Sequence, residues 1–343
     1  GGAFETLIDA GCFSGRMASI AKGAAVGAAV AAGCLAAYGT YRLVRYHIFG
    51  RWEWVRVGHV TSLHLYPIKS CRGSEVDVMD LDTLGPVGDR RFIIVDPNGR
   101  FVTQRQTPAM ALIAPSLPTM TNSIELSAPG MSTLKFTPTD VGTPVKIGIW
   151  DDEVVGVDQG AAVSKWLSDY MQRPVRLMGI PDKGYSRPTS PKWSHSASLN
   201  QASYADGFPM LLATEASLKD LNIRLRAAGS DALPMNRFRP NIVVGGLDVR
   251  PWEEDRWTEV RVGSEHMAVV KPCTRCKITT TDQDSLVIGS EPVQTLSGFR
   301  RKWHVGTKAG DRADVFFGQN LCHFRQGGCI GKGDVVEARV WVW

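Results

Sequence analysis

From Trp54 onward the chain breaks into short apolar runs that alternate with polar positions and are punctuated by Gly, Pro, Asn and Asp, a rhythm of strands rather than of long helices. Arg91 to Val95 and Phe101 to Thr103 read as the arms of a hairpin across Asp96-Pro97-Asn98-Gly99, where Gly supplies a positive φ and Pro fixes the other corner. Further strands are expected at Thr61 to Tyr66, Ile124 to Leu126, Thr133 to Phe136, Val145 to Ile149 and Glu153 to Val157. Later ones fall at Ile242 to Val244, Glu259 to Val262, His266 to Val270 and Val335 to Trp343. Strands this short suit a small barrel or sandwich better than a parallel sheet.

Two windows carry helical spacing. Val163, Trp166, Leu167 and Tyr170 recur at i, i+3, i+4 and i+7 before Pro174, and Glu215 to Ala228 has Thr214 as N-cap, Leu218, Leu221 and Leu225 on one face and Gly229 as its stop. Between them Pro181 to Ala205 is rich in Pro, Ser, Lys and Asn without periodicity, which predicts a crossing loop or linker. The expected class is mostly β with α (α+β), with a β-barrel domain over about 55–180 and a second β-barrel domain with packed helices over 190–343.

The N-terminus differs. Gly23 to Tyr41 contains no charged residue over nineteen positions, just enough to cross a bilayer at about 1.5 Å per residue. Ala and Gly dominate it, so an import signal and a buried Ala-rich helix also fit. Arg42, Arg45, Arg51 and Arg56 follow the stretch, while Arg16 and Lys22 precede it beside Glu5 and Asp9, which places the C-terminal part in the cytosol. Residues 1–50 are therefore expected to be an extension with a signal-anchor helix at about 23–41.

Composition narrows the picture. The 343 residues suffice for about two domains, and 43% hydrophobic with 21% charged residues is globular rather than disordered. Lys and Arg exceed Asp and Glu by only 39 to 34, with no dense basic stripe, so nucleic acid is not implied. Seven cysteines, an odd set without a secretory pattern, read as reduced thiols in a cytosolic compartment.

The chemistry concentrates in Lys271-Pro272-Cys273-Thr274-Arg275-Cys276 and, farther on, Phe317-Gly318-Gln319-Asn320. Two thiols flanking Thr-Arg put a soft metal ligand beside a fixed cation, suggesting a metal bound with a phosphorylated organic ligand. The residues themselves do not choose between Cys273 and Cys276. A C-x-x-C pair is also half of many zinc sites, which Cys322, His323 and Cys329 would complete, or a redox dithiol. No Walker-type loop or GxGxxG follows a strand.

These segments, together with Tyr66-Pro67-Ile68-Lys69-Ser70-Cys71, Arg91-Phe92, Thr103-Gln104-Arg105-Gln106, Asp206-Gly207-Phe208-Pro209 and Asn236-Arg237-Phe238-Arg239-Pro240-Asn241, resemble in order the MOSC family with its N-terminal β-barrel partner domain. Within it they are most similar to the mitochondrial amidoxime-reducing enzymes. The resemblance implies a molybdenum cofactor, held by the dithiolene of one pyranopterin and by one protein thiolate, which falls on Cys276 as the catalytic metal ligand. It also implies cofactor contacts at Lys69, Ser70, Arg91, Arg239, Asn241, Thr274, Arg275 and Asn320. Some members carry hydroxyl residues where this chain has Gly207 and Phe208, so contacts there fall to backbone groups. The implied reaction is reduction of an N–O bond in amidoximes, hydroxylamines or hydroxamic acids, with nitrite as a further substrate. No flavin, haem or iron–sulfur motif is visible, and the resemblance supplies electrons from NADH through cytochrome b5 reductase and cytochrome b5. It places the enzyme on the mitochondrial outer membrane, facing the cytosol. A non-catalytic molybdenum cofactor carrier and a zinc-binding structural module are the alternatives.

Overall fold

The computed structural model describes residues 33–38, 51–117, 122–246, 248–308 and 310–342. The chain forms two compact units, Gly1–Glu53 with Trp341–Trp343, and Trp54–Val340. In the first, residues 33–38 are helical and exposed, and Trp52 meets Trp341 edge-on at 5.2 Å. The expected anchor at 23–41 lies outside the described residues except for 33–38. Among the described residues no helix is long and apolar enough to cross a membrane.

The larger unit is built on a closed barrel. Its strands are β1 (Arg51–Leu65), β12 (Met210–Thr214), β13 (Ile242–Gly245), β14 (Glu259–Val262), β15 (Glu265–Arg275), β16 (Val315–His323) and β18 (Val335–Val342), in the order β13-β12-β16-β15-β14-β18-β1. Closure comes from β1 pairing antiparallel with β13, His59 opposite Gly245 and Leu63 opposite Ile242. Inward positions, Val57, Val60, Leu63, Leu212, Val260, Met267 and Leu321 among them, fill the core. Gly318 sits in β16 at φ +77°, where a Cβ would lie 2.6 Å from the Leu212 carbonyl oxygen, so only glycine lets β12 and β16 approach there.

The remainder is a half-barrel. Strands β5 (Phe92–Val95), β9 (Val145–Ile149), β10 (Asp152–Asp158) and β11 (Arg176–Gly179) form one sheet, and β6 (Ala114–Pro115), β7 (Ile124–Ser127) and β8 (Leu134–Phe136) another. Helix α1 (Ala161–Met171) buries Val163, Trp166, Leu167 and Met171 against them, each worth about 1.5–3 kcal/mol of apolar burial. Gln172, left-handed at φ +52°, ends it before Pro174. Helix α2 (Glu215–Ala227) starts where Thr214 Oγ1 accepts from Ser217 N, and buries Leu221 and Leu225.

The fold is mostly β with few helices, as the pattern predicts, but several details differ. The hairpin after Arg91 has one true strand: β5 pairs with β11, while Phe101 makes only a bridge to Val95. β12 and β16 are buried on both faces, so their residues show no polar alternation to mark them as strands. The stretch 181–205 has the irregular backbone of a linker, yet it is packed down. Arg187, 3% exposed, donates to Asp152 Oδ2 (2.9 Å) and to the carbonyls of Ser203 (3.1 Å), Ala205 and Asp206 (3.0 Å). Buried Tyr204 donates to Val155 O at 2.9 Å or Gly179 O at 3.2 Å. The strap thereby delivers Asp206-Gly207-Phe208 to a fixed position.

Candidate cofactor cleft

An open cleft of about 820 Å³ gathers residues from seven separate stretches of the chain. Lys69, Ser70, Arg239, Asn241, Thr274, Arg275, Cys276 and Asn320, all expected at the site, line it together. Three of the side chains on its rear wall sit on left-handed backbone: Ser70 (φ +67°), Arg90 (φ +46°) and Arg239 (φ +55°). Such conformations cost about 1–3 kcal/mol each in a non-glycine residue and collect where a site demands them.

Arg91 departs from expectation. It does not line the cleft; its Nη2 donates to Asp82 Oδ1 (2.7 Å) and Pro86 O (3.0 Å). Arg90 takes the place on the wall, because its left-handed turn reverses the side-chain alternation just as the chain enters β5. Its Nη1 donates to both Asp89 oxygens (2.8 and 2.7 Å) and to Asn241 Oδ1 (3.1 Å). Arg90 and Arg239 cover the Tyr66 ring at 4.3 and 4.2 Å, and Arg239 Nη2 donates to Cys71 O at 2.7 Å. Burial and neighbouring Arg90 pull the Arg239 guanidinium down to about 10, still charged at neutral pH.

Asn241 is buried and has no capacity left for a ligand. Its Nδ2 donates to His64 O (3.1 Å) and Asp89 Oδ1 (3.0 Å), while Oδ1 accepts from Leu211 N (3.2 Å) and Arg90. It fixes the wall rather than offering an edge. Asn320 Nδ2 likewise donates to Lys271 O at 3.1 Å. Lys69, 5% exposed, is held by Asp206 Oδ1 at 2.5 Å; burial lowers its ammonium and the carboxylate opposes that. For Asp206, desolvation would raise the carboxyl, but Lys69, Arg90 and Arg105 together hold it well below the usual carboxylate range.

The opposite lip is the end of β15. Arg275 Nη1 reaches Cys273 Sγ at 2.9 Å and Nη2 donates to Phe238 O at 2.7 Å, so the guanidinium attends Cys273 rather than Cys276. Cys276 is exposed, and among the described residues its sulfur has no hydrogen-bond partner. Its backbone is nevertheless pinned, since its carbonyl accepts from Thr279 Oγ1 (2.9 Å) and Thr279 N (3.1 Å). Arg275 Nε is buried without a partner, an orphaned donor beside the thiols. A Cβ added at Gly207 would meet nothing within 4 Å, so the facing wall leaves room.

The zinc alternative finds no assembly here. Cys322 lies opposite Ala268, several residues along the sheet from Cys273, and burial pushes its thiol up to about 12. His323 Nε2 is taken by Asp82 O at 2.5 Å. Among the described residues no three His, Cys, Asp or Glu side chains gather in a metal-holding group. Arg90, Arg105, Thr103 and Asp206 line the cleft and were not singled out from sequence; Arg105 and Thr103 stand in a recognisable segment, but only the Arg90 turn tells which of two adjacent arginines faces in.

Residues 57–174 match the MOSC N-terminal beta barrel domain and residues 200–337 the MOSC domain. Mitochondrial amidoxime reducing component 2 of Rattus norvegicus is 34% identical over 71% of this chain and 73% of its own length. Mitochondrial amidoxime-reducing component 1 of Homo sapiens is 34% identical over 72% and 73%, and that of Mus musculus 33% over 71% and 72%. With both domains present in order and relatives at this identity across most of their length, the chain belongs to the MOSC family that carries the N-terminal beta barrel domain, alongside the mitochondrial amidoxime reducing components.

Proposed function

We propose that the protein is a molybdenum cofactor-dependent reductase of N-hydroxylated compounds: amidoximes, hydroxylamines and hydroxamic acids. The observation that carries this is one cleft in which Lys69, Arg90, Arg105, Arg239 and Arg275 face a thiol, Cys276, that none of the described residues engages. The donor set fits a pyranopterin-bound metal. Cations can hold its phosphate, the buried Nε of Arg275, unpartnered among the described residues, awaits an acceptor, and the free sulfur of Cys276 suits a soft or high-valent metal. When bound, that group supplies the two-electron couple that amino-acid side chains lack.

The chain's own residues orient and enclose. Arg90 and Arg239, braced on Tyr66 and on carbonyl oxygens, present fixed positive charge and lose little entropy on binding. Lys69 adds a point charge from a buried position, and Ser70 a hydroxyl. Electrons would arrive from NADH through cytochrome b5 reductase and cytochrome b5 on the mitochondrial outer membrane, with an N-terminal anchor holding the partners at high effective concentration.

Metal analysis of protein expressed in cells that make the pterin, followed by NADH-dependent reduction of benzamidoxime with cytochrome b5 and its reductase, tests the reading. Stoichiometric molybdenum with turnover supports it. Molybdenum without turnover indicates a cofactor carrier, and stoichiometric zinc without molybdenum refutes the assignment.

A further inference from the structure

A second, wider groove enclosing about 1230 Å³ adjoins the cleft, and Asp206, Gly207 and Phe208 line both. Three aromatic side chains, Trp150, Trp193 and Phe208, stand in its lining beside charged and small polar residues. We propose that this groove takes the organic body of the substrate, a planar aryl group bearing an acidic substituent, while the N–O end lies in the cleft; this rests on the reductase reading above.

Three observations converge on that occupant. Trp150 is held at φ +54°, a genuine outlier for a bulky side chain, and its ring is clamped by Phe101 edge-on at 5.0 Å and by Arg105 at 4.2 Å. A residue strained and braced in this way presents a preformed apolar face. Arg105 also lines the cleft, so the two spaces share a wall. On the floor, Lys271 Nζ stands 5.9 Å from the Trp193 ring centre and 6.0 Å from that of Phe208. An ammonium between two rings is placed to meet an anion carried on a third ring that stacks there.

Charge bookkeeping on the groove singles out Lys271. Asp152 and Asp206 are occupied by Arg187 and Lys69. Asp151, exposed at the turn between β9 and β10, is at the rim. Lys271 has no carboxylate within ion-pair distance among the described residues, and it lies across from Asn320 of the cleft wall in the pairing of β15 with β16. Of the two cations that line the groove, Arg187 is paired and Lys271, among the described residues, is not.

Binding without turnover isolates the groove. Titration of the holoprotein, with no electron donor present, should show 4-carboxybenzamidine binding about fivefold tighter than benzamidine, and Lys271→Met should erase that difference. Trp193→Ala should weaken both about fivefold, and in turnover it should raise KM for benzamidoxime while leaving hydroxylamine unchanged, the small substrate serving as the control for folding. Equal binding of the two benzamidines by the unaltered protein, or a preference that survives Lys271→Met, would overturn the proposal. Should the carboxylated ligand bind as expected while no N-hydroxylated compound is reduced, the reductase reading fails and the groove stands. Reduction without discrimination has the opposite meaning.

Discussion

The rear wall of the cleft and its lip are built on opposite plans. On the wall the side chains that carry charge or an amide are braced: Arg90 by Asp89 and Asn241, Arg239 by Cys71 O, Lys69 by Asp206, Asn241 on all four of its hydrogen-bonding sites. On the lip Cys276 is exposed and unengaged, and Arg275 keeps an orphaned Nε. The wall supplies rigid charge, whereas the lip supplies bonding capacity. A site that seats an anionic group and ligates a metal would need both, and here separate turns and loops provide them.

The sharpest way to break this contrast is at the lip. Cys276→Ala should cut turnover by more than about a hundredfold, since even outer-shell changes around a metal cost 10–100-fold, while leaving the thermal midpoint unmoved. Cys273→Ala should keep a measurable fraction, and the opposite ranking in a benzamidoxime assay would reverse the ligand assignment. On the wall, Arg239→Met should lower bound molybdenum about tenfold by removing a charge-assisted donor, with Arg239→Lys recovering part of it, both read by metal analysis. Asn241→Leu should act on stability instead. It strands Leu211 N, the His64 carbonyl and the Arg90–Asp89 pair, and should cost about 2–4 kcal/mol in denaturant unfolding; a loss of activity with unchanged stability would mean that the amide touches ligand after all.

The smallest effect is one of pH. Because Lys69, Arg90 and Arg105 depress the Asp206 carboxyl, its stabilisation is complete above the ordinary carboxylate range and is lost as pH falls through the lowered folded value. Asp206→Asn should therefore flatten the acid limb of the stability curve below about pH 4, where the unaltered protein slopes. A limb equally steep in both proteins would show that the Lys69 pair contributes nothing to it.

Much of this was legible in the order of residues. Helix α1 and helix α2 follow from their apolar spacing and stops, and eight of the nine expected cofactor residues meet in one cleft because their segments are chemically distinctive. What escaped depends on information that is not local. Whether Arg90 or Arg91 faces the cleft is decided by one left-handed residue, and a one-residue shift swaps the faces of a strand. β1 extends ten residues ahead of the predicted Thr61 start, because Arg51 to Val60 mixes Arg, Glu, Trp, Val and Gly without a clean apolar alternation and takes its pairing from partners far along the chain. The strap at 181–205 looks like a linker by composition, and it is the contacts of Arg187 and Tyr204 that make it a fixed part. Cys273 and Cys276 are indistinguishable as letters; geometry gives the guanidinium to one and solvent to the other.

The barrel's closure by β1 has a consequence for biosynthesis. This strand is made before the other barrel strands, and its hydrogen-bonding neighbours β13 and β18 come much later in the chain, so His59 must wait for Gly245 with its amides uncovered. Exposed edges of that kind invite pairing with other chains. A nascent polypeptide of this design would depend on chaperones to shield its leading strand, and moving that strand to the other end of the gene by circular permutation should relieve the dependence.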